Sequence, residues 1–233
     1  MRVSAYSTGG NPIPDVAGAV LIFLHDFYDS PHVYHDLVFV DFWDWICFTI
    51  TTLSDAGIPF WIEPHPNQVS FSEGVLIELK QRFPAVNFIS SGTSNIDLVE
   101  VGILCGVTVY GTVAHELAYL GVPTITCARH PHVGFDFCMT AKSVEQYKNI
   151  LIIPNLSMNK VEMRKQALNF YYMHNLYGSH EKKEFKPALE DFFKICDDFC
   201  EKPCKVGESL LALTNLPFWR QHITVLIAGL NHS

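Results

Sequence analysis

Gly111-Thr-Val-Ala-His-Glu-Leu-Ala-Tyr-Leu-Gly-Val-Pro123, followed at once by the apolar run Thr124-Ile-Thr-Cys127, is the stretch on which the reading of this chain turns. A turn at Gly111-Thr112, a helix over Val113 to Leu120 stopped by Gly121, and a buried strand after Pro123 follow from the placement of Gly and Pro around two apolar segments. Glu116 falls in the opening turns of that helix. A carboxylate there can accept hydrogen bonds from paired hydroxyls such as those of a ribose, while backbone N–H groups near the helix start favour a phosphate. The layout is that of a nucleotide pocket.

Working outward, the same alternation repeats. Ala19 to Leu24, Ile58 to Ile62, Val86 to Ile89, Val107 to Tyr110 and Thr124 to Cys127 read as short buried strands. Between them lie helices expected over Tyr34 to Ala56, Phe71 to Arg82, Ser94 to Val101 with Ser94 as N-cap, and Val113 to Leu120. Strands with little polar alternation, separated by helices, imply a parallel sheet covered on both faces. The expected fold is a Rossmann-like, doubly wound α/β sheet. From Ser143 onward the texture is helical, with helices expected over Val144 to Ile150, Lys160 to Leu176, Lys186 to Glu201 and Val206 to Gly229. The domain reading is an extended arm over 1–18, a nucleotide-binding domain over 19–150, and a helical region over 151–233 packing on it.

Composition narrows the function. With 48% hydrophobic residues and 17 Phe among 233 residues, the chain can build a sizeable core. A net charge of -8 with 16 Lys and Arg argues against a nucleic-acid surface, which needs clustered cations. The N-terminal stretch is polar and Gly/Pro-rich rather than signal-like, and no apolar run reaches the ~18 to 20 residues of a membrane span. The seven Cys, an odd number, read as reduced thiols, which points to the cytoplasm. Cys196, Cys200 and Cys204 are evenly spaced, but a zinc site there lacks a nearby fourth ligand.

In open parallel sheets ligands bind beyond the carboxyl ends of the strands. Here those positions hold His25-Asp26-Phe27-Tyr28-Asp29-Ser30-Pro31, then Glu63-Pro64-His65-Pro66-Asn67, Ser90-Ser91-Gly92-Thr93-Ser94, Gly111-Thr112 and Arg129-His130-Pro131-His132. Any one of these loops can be turn or cap chemistry. Five on one edge make a site.

The Glu116-x4-Gly121-x-Pro123 pattern resembles the signature of the nucleotide-sugar-binding half of GT-B glycosyltransferases. Together with the strand-end loops it is similar to the capsule-polysaccharide biosynthesis family and to Kdo and bacterial sialic acid transferases, over roughly Val20 to Ile150. The resemblance implies a transferase moving a sugar from a nucleotide-activated, CMP-Kdo-like donor to a glycan acceptor of a surface polysaccharide. It implies that His65 and Pro66, with Ser90, Ser91, Thr93, Ser94, Gly111 and Thr112, hold the donor phosphate, that Glu116 holds the ribose, and that His130-Pro131 is a second candidate for the His-Pro role. Asp26 or Asp29 is the candidate general base beside a catalytic His65. No Asp-x-Asp follows a strand, so no essential metal or cofactor is expected. Family members often carry a basic residue before the His-Pro, where this chain has Glu63-Pro64.

A GT-B enzyme needs two facing domains, and one fits here. The expectation is therefore a second, N-terminal domain supplied in cis by a longer protein or in trans by a partner, in the cytoplasm or peripheral at the inner face of a membrane. The alternatives are a nucleotide-sugar epimerase of the same fold and a non-catalytic nucleotide-binding scaffold.

Overall fold

The computed structural model describes residues 13–28, 38–66, 70–154 and 156–176. The chain divides into two units, Met1–Met173 and His174–Ser233, and the first holds the sheet. Five parallel strands, β1 (Val20–Phe23), β2 (Phe60–Glu63), β3 (Cys105–Val107), β4 (Thr124–Thr126) and β5 (Cys138–Thr140), lie in the order β2-β1-β3-β4-β5. Phe88 pairs with Ile62 beyond β2 as a single parallel bridge. The chain thus starts in the middle of the sheet, builds one way through β2, and returns to the other side of β1 at β3. That reversal is the topological switch of a doubly wound, Rossmann-like fold.

The alternation of β1 explains why both faces must be covered. Val20 and Ile22 join a core with Trp45, Ile46, Ile50 and Leu53 of α1 (Phe42–Asp55), Leu79 of α2 (Ser70–Arg82), and Tyr147 and Leu151 of α5 (Val144–Ile152). Leu21 and Phe23 face the other way, to Leu98 of α3 (Asn95–Val101) and Leu117 of α4 (Val113–Leu120). Gly106 of β3 lets α4 sit close, because a Cβ there would overlap Leu117 Cδ1 and lie 3.4 Å from Phe23 Cε2. A third core joins α4 to α6 (Lys160–Tyr171) through Ala114, Ala118, Met163, Ala167 and Phe170.

Local chemistry sets the element ends. Asp41 caps α1 by accepting from Asp44 N at 2.8 Å, Ser94 caps α3, and Asn159 caps α6 through Val161 N and Glu162 N. Helices α3 and α4 close on Gly102 and Gly121, at φ 93 and 88, where a side chain would strain the turn. The expected helix over Val113 to Leu120 forms with those bounds.

Four expectations need correction. The first long helix begins at Phe42, because Asp41 caps it and Val38 to Val40 bend ahead of it. The third expected strand, Val86 to Ile89, reduces to the Phe88 bridge with two backbone bonds to Ile62. The fourth strand lies earlier, at Cys105–Val107, because the chain bends at Val109 and Tyr110. Finally, β5 was not expected at all: it is three residues long at the sheet edge, too short to show a period. The expected helices over 186–201 and 206–229, the three Cys from Cys196 to Cys204, Asp29 and most of the 1–18 arm lie outside the described residues.

Between α1 and α5 three polar groups close a ring. Trp45 Nε1 donates to the Tyr147 hydroxyl at 2.7 Å, the Tyr147 and Thr49 hydroxyls lie 2.9 Å apart, and Thr49 Oγ1 donates to the Trp45 carbonyl at 2.7 Å. Burial pushes the Tyr147 hydroxyl far above its ordinary range, so it stays protonated and donates onward to Thr49. Tyr147→Phe should cost about 1–3 kcal/mol, since it leaves the indole N–H and the threonine oxygen buried without this partner. Urea unfolding checks it, and a loss below about 0.5 kcal/mol would mean the ring adds nothing beyond packing.

Candidate functional site

The loops after β1 and β3 meet at the switch point, where β1 and β3 lie side by side. His25 follows β1 and is buried; its Nε2 accepts from Tyr110 N at 3.3 Å and lies 3.1 Å from Thr108 Oγ1. Because Nε2 accepts a backbone N–H, the ring proton belongs on Nδ1. Thr108 Oγ1 in turn accepts from Gly111 N at 3.3 Å and so donates its own proton to His25. The ring stacks on Phe42 at 4.8 Å and touches Tyr110 at 4.5 Å. Burial, then the neighbouring His65 and His130, lower its pKa to about 3, so it is neutral at physiological pH. His25 therefore ties the β3 turn to β1.

Glu63, the last residue of β2, organises the next loop. Its Oε1 accepts from Gly92 N at 2.9 Å and Thr93 N at 3.1 Å, while Thr93 Oγ1 donates to the Ser90 carbonyl at 2.6 Å. Burial raises the Glu63 carboxyl to about 8; the two N–H bonds act against that, and the nearby Glu116 adds to it. With Oε1 holding both N–H groups, Oε2 is left to carry the proton. Glu116 accepts from Asn95 Nδ2 at 2.8 Å, and burial raises its pKa against the bonds from Thr112 and Asn95.

The other expected residues divide by exposure. Ser90, Ser91, Pro66 and Thr112 are exposed at the rim, and His65 and Gly111 are half-buried behind them. A Cβ on Gly111 would lie 2.9 Å from Thr108 Oγ1 and 3.7 Å from His25 Cε1, so this position favours glycine. Thr93 and Ser94 are buried, the latter with its hydroxyl at the Asp97 N–H of α3. Asp26 is buried and turned toward α2, accepting from Ser72 Oγ at 2.5 Å and Tyr28 N at 2.9 Å. His130 is buried, stacks on Tyr110 at 6.2 Å, and accepts from His132 N at 3.2 Å. Glu63, His25, Thr108 and Asn95 were not singled out by sequence as site residues. Position directly after a strand marks His25 and Glu63, but nothing in the sequence pairs Asn95 with Glu116.

Among the described residues no group of three His, Cys, Asp or Glu is placed to hold a metal ion, and no helix is long and apolar enough to cross a membrane. No family model matches the chain, and no curated protein matches it. Among solved structures, the UDP-GlcNAc 2-epimerase of Methanocaldococcus jannaschii in complex with UDP-GlcNAc and UDP is similar, with a TM-score of 0.44 and 14% identity over 67% of this chain. The match covers 46% of that protein, so the chain spans less than half its length.

Proposed function

We propose that the carboxyl edge of this sheet binds a nucleotide-activated sugar and that the unit is the donor-binding half of a glycosyltransferase. The observation that carries the reading is the position of Glu116. It lies in the first turn of α4, directly after β3 at the switch point, and faces the Ser90–Ser94 loop through Asn95. Nucleotides bind in this crevice in doubly wound sheets. The exposed Ser90, Ser91 and Thr112 hydroxyls and the half-buried His65 surround the place where a donor phosphate would lie.

The reaction is displacement at the anomeric carbon. The acceptor hydroxyl oxygen bonds to that carbon, the carbon–oxygen bond to the phosphate breaks, and the nucleoside phosphate leaves with the electron pair. Hydroxyls and an imidazole at the rim stabilise the charge that grows on the phosphate, without calling on a metal. The acceptor comes from a facing domain, in cis or in trans, and the base that takes its proton is Asp29 or a residue of that domain, because Asp26 is held by Ser72. A CMP-Kdo-like donor is the first to test, on the family resemblance of the loops.

Thermal unfolding with CMP, UDP, GDP and ADP tests the reading. A nucleotide at ~100 times its dissociation constant adds about 2.7 kcal/mol of apparent stability. One of the four should stabilise the wild-type chain, and His65→Ala and Glu116→Ala should each remove the shift. No shift with any of them overturns the assignment. Transfer itself predicts that free nucleotide appears only when acceptor is added.

A further inference from the structure

Glu63 sets a buried carboxyl against the Ser90–Ser94 loop. Glu63 Oε1 takes the N–H groups of Gly92 and Thr93, the donors at the heart of the loop assigned to the donor phosphate. An ionised carboxylate on those donors, with Glu116 beside it, sets a negative charge against any phosphate brought to Ser90 and Ser91. A protonated one holds the loop in the same shape without that charge. We propose that Glu63 is the positioning residue of the anion site, and that a phosphate-bearing ligand binds only the form in which the Glu63 carboxyl carries a proton. The inference rests on the nucleotide reading above.

The surroundings favour this coupling. Glu116 faces Glu63 from α4, and Asn95 at the start of α3 is neutral. From β1, Leu24 N pairs with the Glu63 carbonyl at 3.0 Å, and the next residue, His25, is held neutral. His65 follows Glu63 by two positions on the same loop. Glu63 is 6% exposed, so water screens its carboxyl little. Its place near pH 8 puts the proton change within reach of experiment.

Isothermal titration of the full chain with CMP, UDP, GDP and ADP at about pH 7 and about pH 9.5 reads the linkage, with Glu63→Gln titrated in parallel. The amide oxygen of glutamine keeps an acceptor for both N–H groups but cannot ionise, and the parallel series cancels titration of the nucleotide itself. Wild type should bind about tenfold or more weakly at the higher pH, as its binding-competent fraction falls, and Glu63→Gln should hold its affinity. Equal weakening in both chains overturns the role of Glu63 and leaves nucleotide binding standing. Absence of binding in both chains at both pH values removes the nucleotide reading and this inference with it. If the variant fails to fold, wild type titrated near pH 8 in two buffers of unlike ionisation enthalpy gives the same answer: proton uptake on binding supports the coupling, and none overturns it.

Discussion

Glu63→Gln is expected to flatten the alkaline side of the stability profile, where Glu63 by itself costs the wild-type chain about 2 kcal/mol between about pH 6.5 and pH 8. The carboxyl ionises near 8 in the folded unit, against 4.5 for the free group. Between those values the unfolded chain has lost its proton and the folded chain has kept it, so each pH unit favours unfolding by about 1.4 kcal/mol. The stability that Glu63 contributes is therefore full below about 4.5 and gone above about 8. Glu116, raised in the same direction, adds to the slope. His25 has the opposite sign: with its folded pKa lowered to about 3 from 6.5, it contributes fully above 6.5 and its contribution falls as the unfolded chain takes up a proton below that. The Glu63 and His25 slopes oppose one another between about 4.5 and 6.5, so the fall due to Glu63 shows undiminished only above 6.5. Removing the Glu63 limb should move the optimum to higher pH. Urea unfolding of both chains across the range decides it, and parallel profiles would mean that Glu63 is already ionised in the folded unit.

The same two residues mark how far the sequence could be read. Local punctuation carried α4 and β4, because Gly121 and Pro123 act within a few residues of the elements they bound. Sheet order is not local. That β3 returns beside β1 follows from packing both faces of the sheet, and this return alone sets Thr108 and Tyr110 on His25. His25 was thus visible as a strand-end residue, while its service as a buried tie between two loops was not. Glu63 was visible in sequence only as a strand-end residue, and the N–H groups of Gly92 and Thr93 that it holds lie about thirty residues further on. The hydroxyls of Thr93 and Ser94 serve the loop and the α3 cap and are buried, whereas Ser90, Ser91 and Thr112 are exposed. Residue type made all five look alike; burial separates them.

Phe170→Ala should cost about 3–5 kcal/mol, among the largest losses open to a single substitution in this unit. Phe170 is 1% exposed and lies at 4.6 Å from His132, 5.1 Å from His115, 5.4 Å from Phe135, 5.5 Å from Phe137 and 5.9 Å from His130. It is the side chain by which α6 reaches α4 and the turn after β4 at once. Its place is fixed from several sides at once, by α4, the turn after β4 and Phe137, so truncation leaves a buried void among these groups. Emptying a position held by that many contacts is the condition under which cavity costs run high. The loss should also reach the carboxyl edge of the sheet, because Phe170 backs His130, whose ring also stacks on Tyr110 of the switch-point turn. Phe170→Leu restores most of the volume and should recover more than half of the stability. Urea midpoints for the two variants measure the packing, and nucleotide affinity measured well below those midpoints isolates the effect on His130. A cost under about 1 kcal/mol for Phe170→Ala would mean that α6 does not dock on α4 through this side chain.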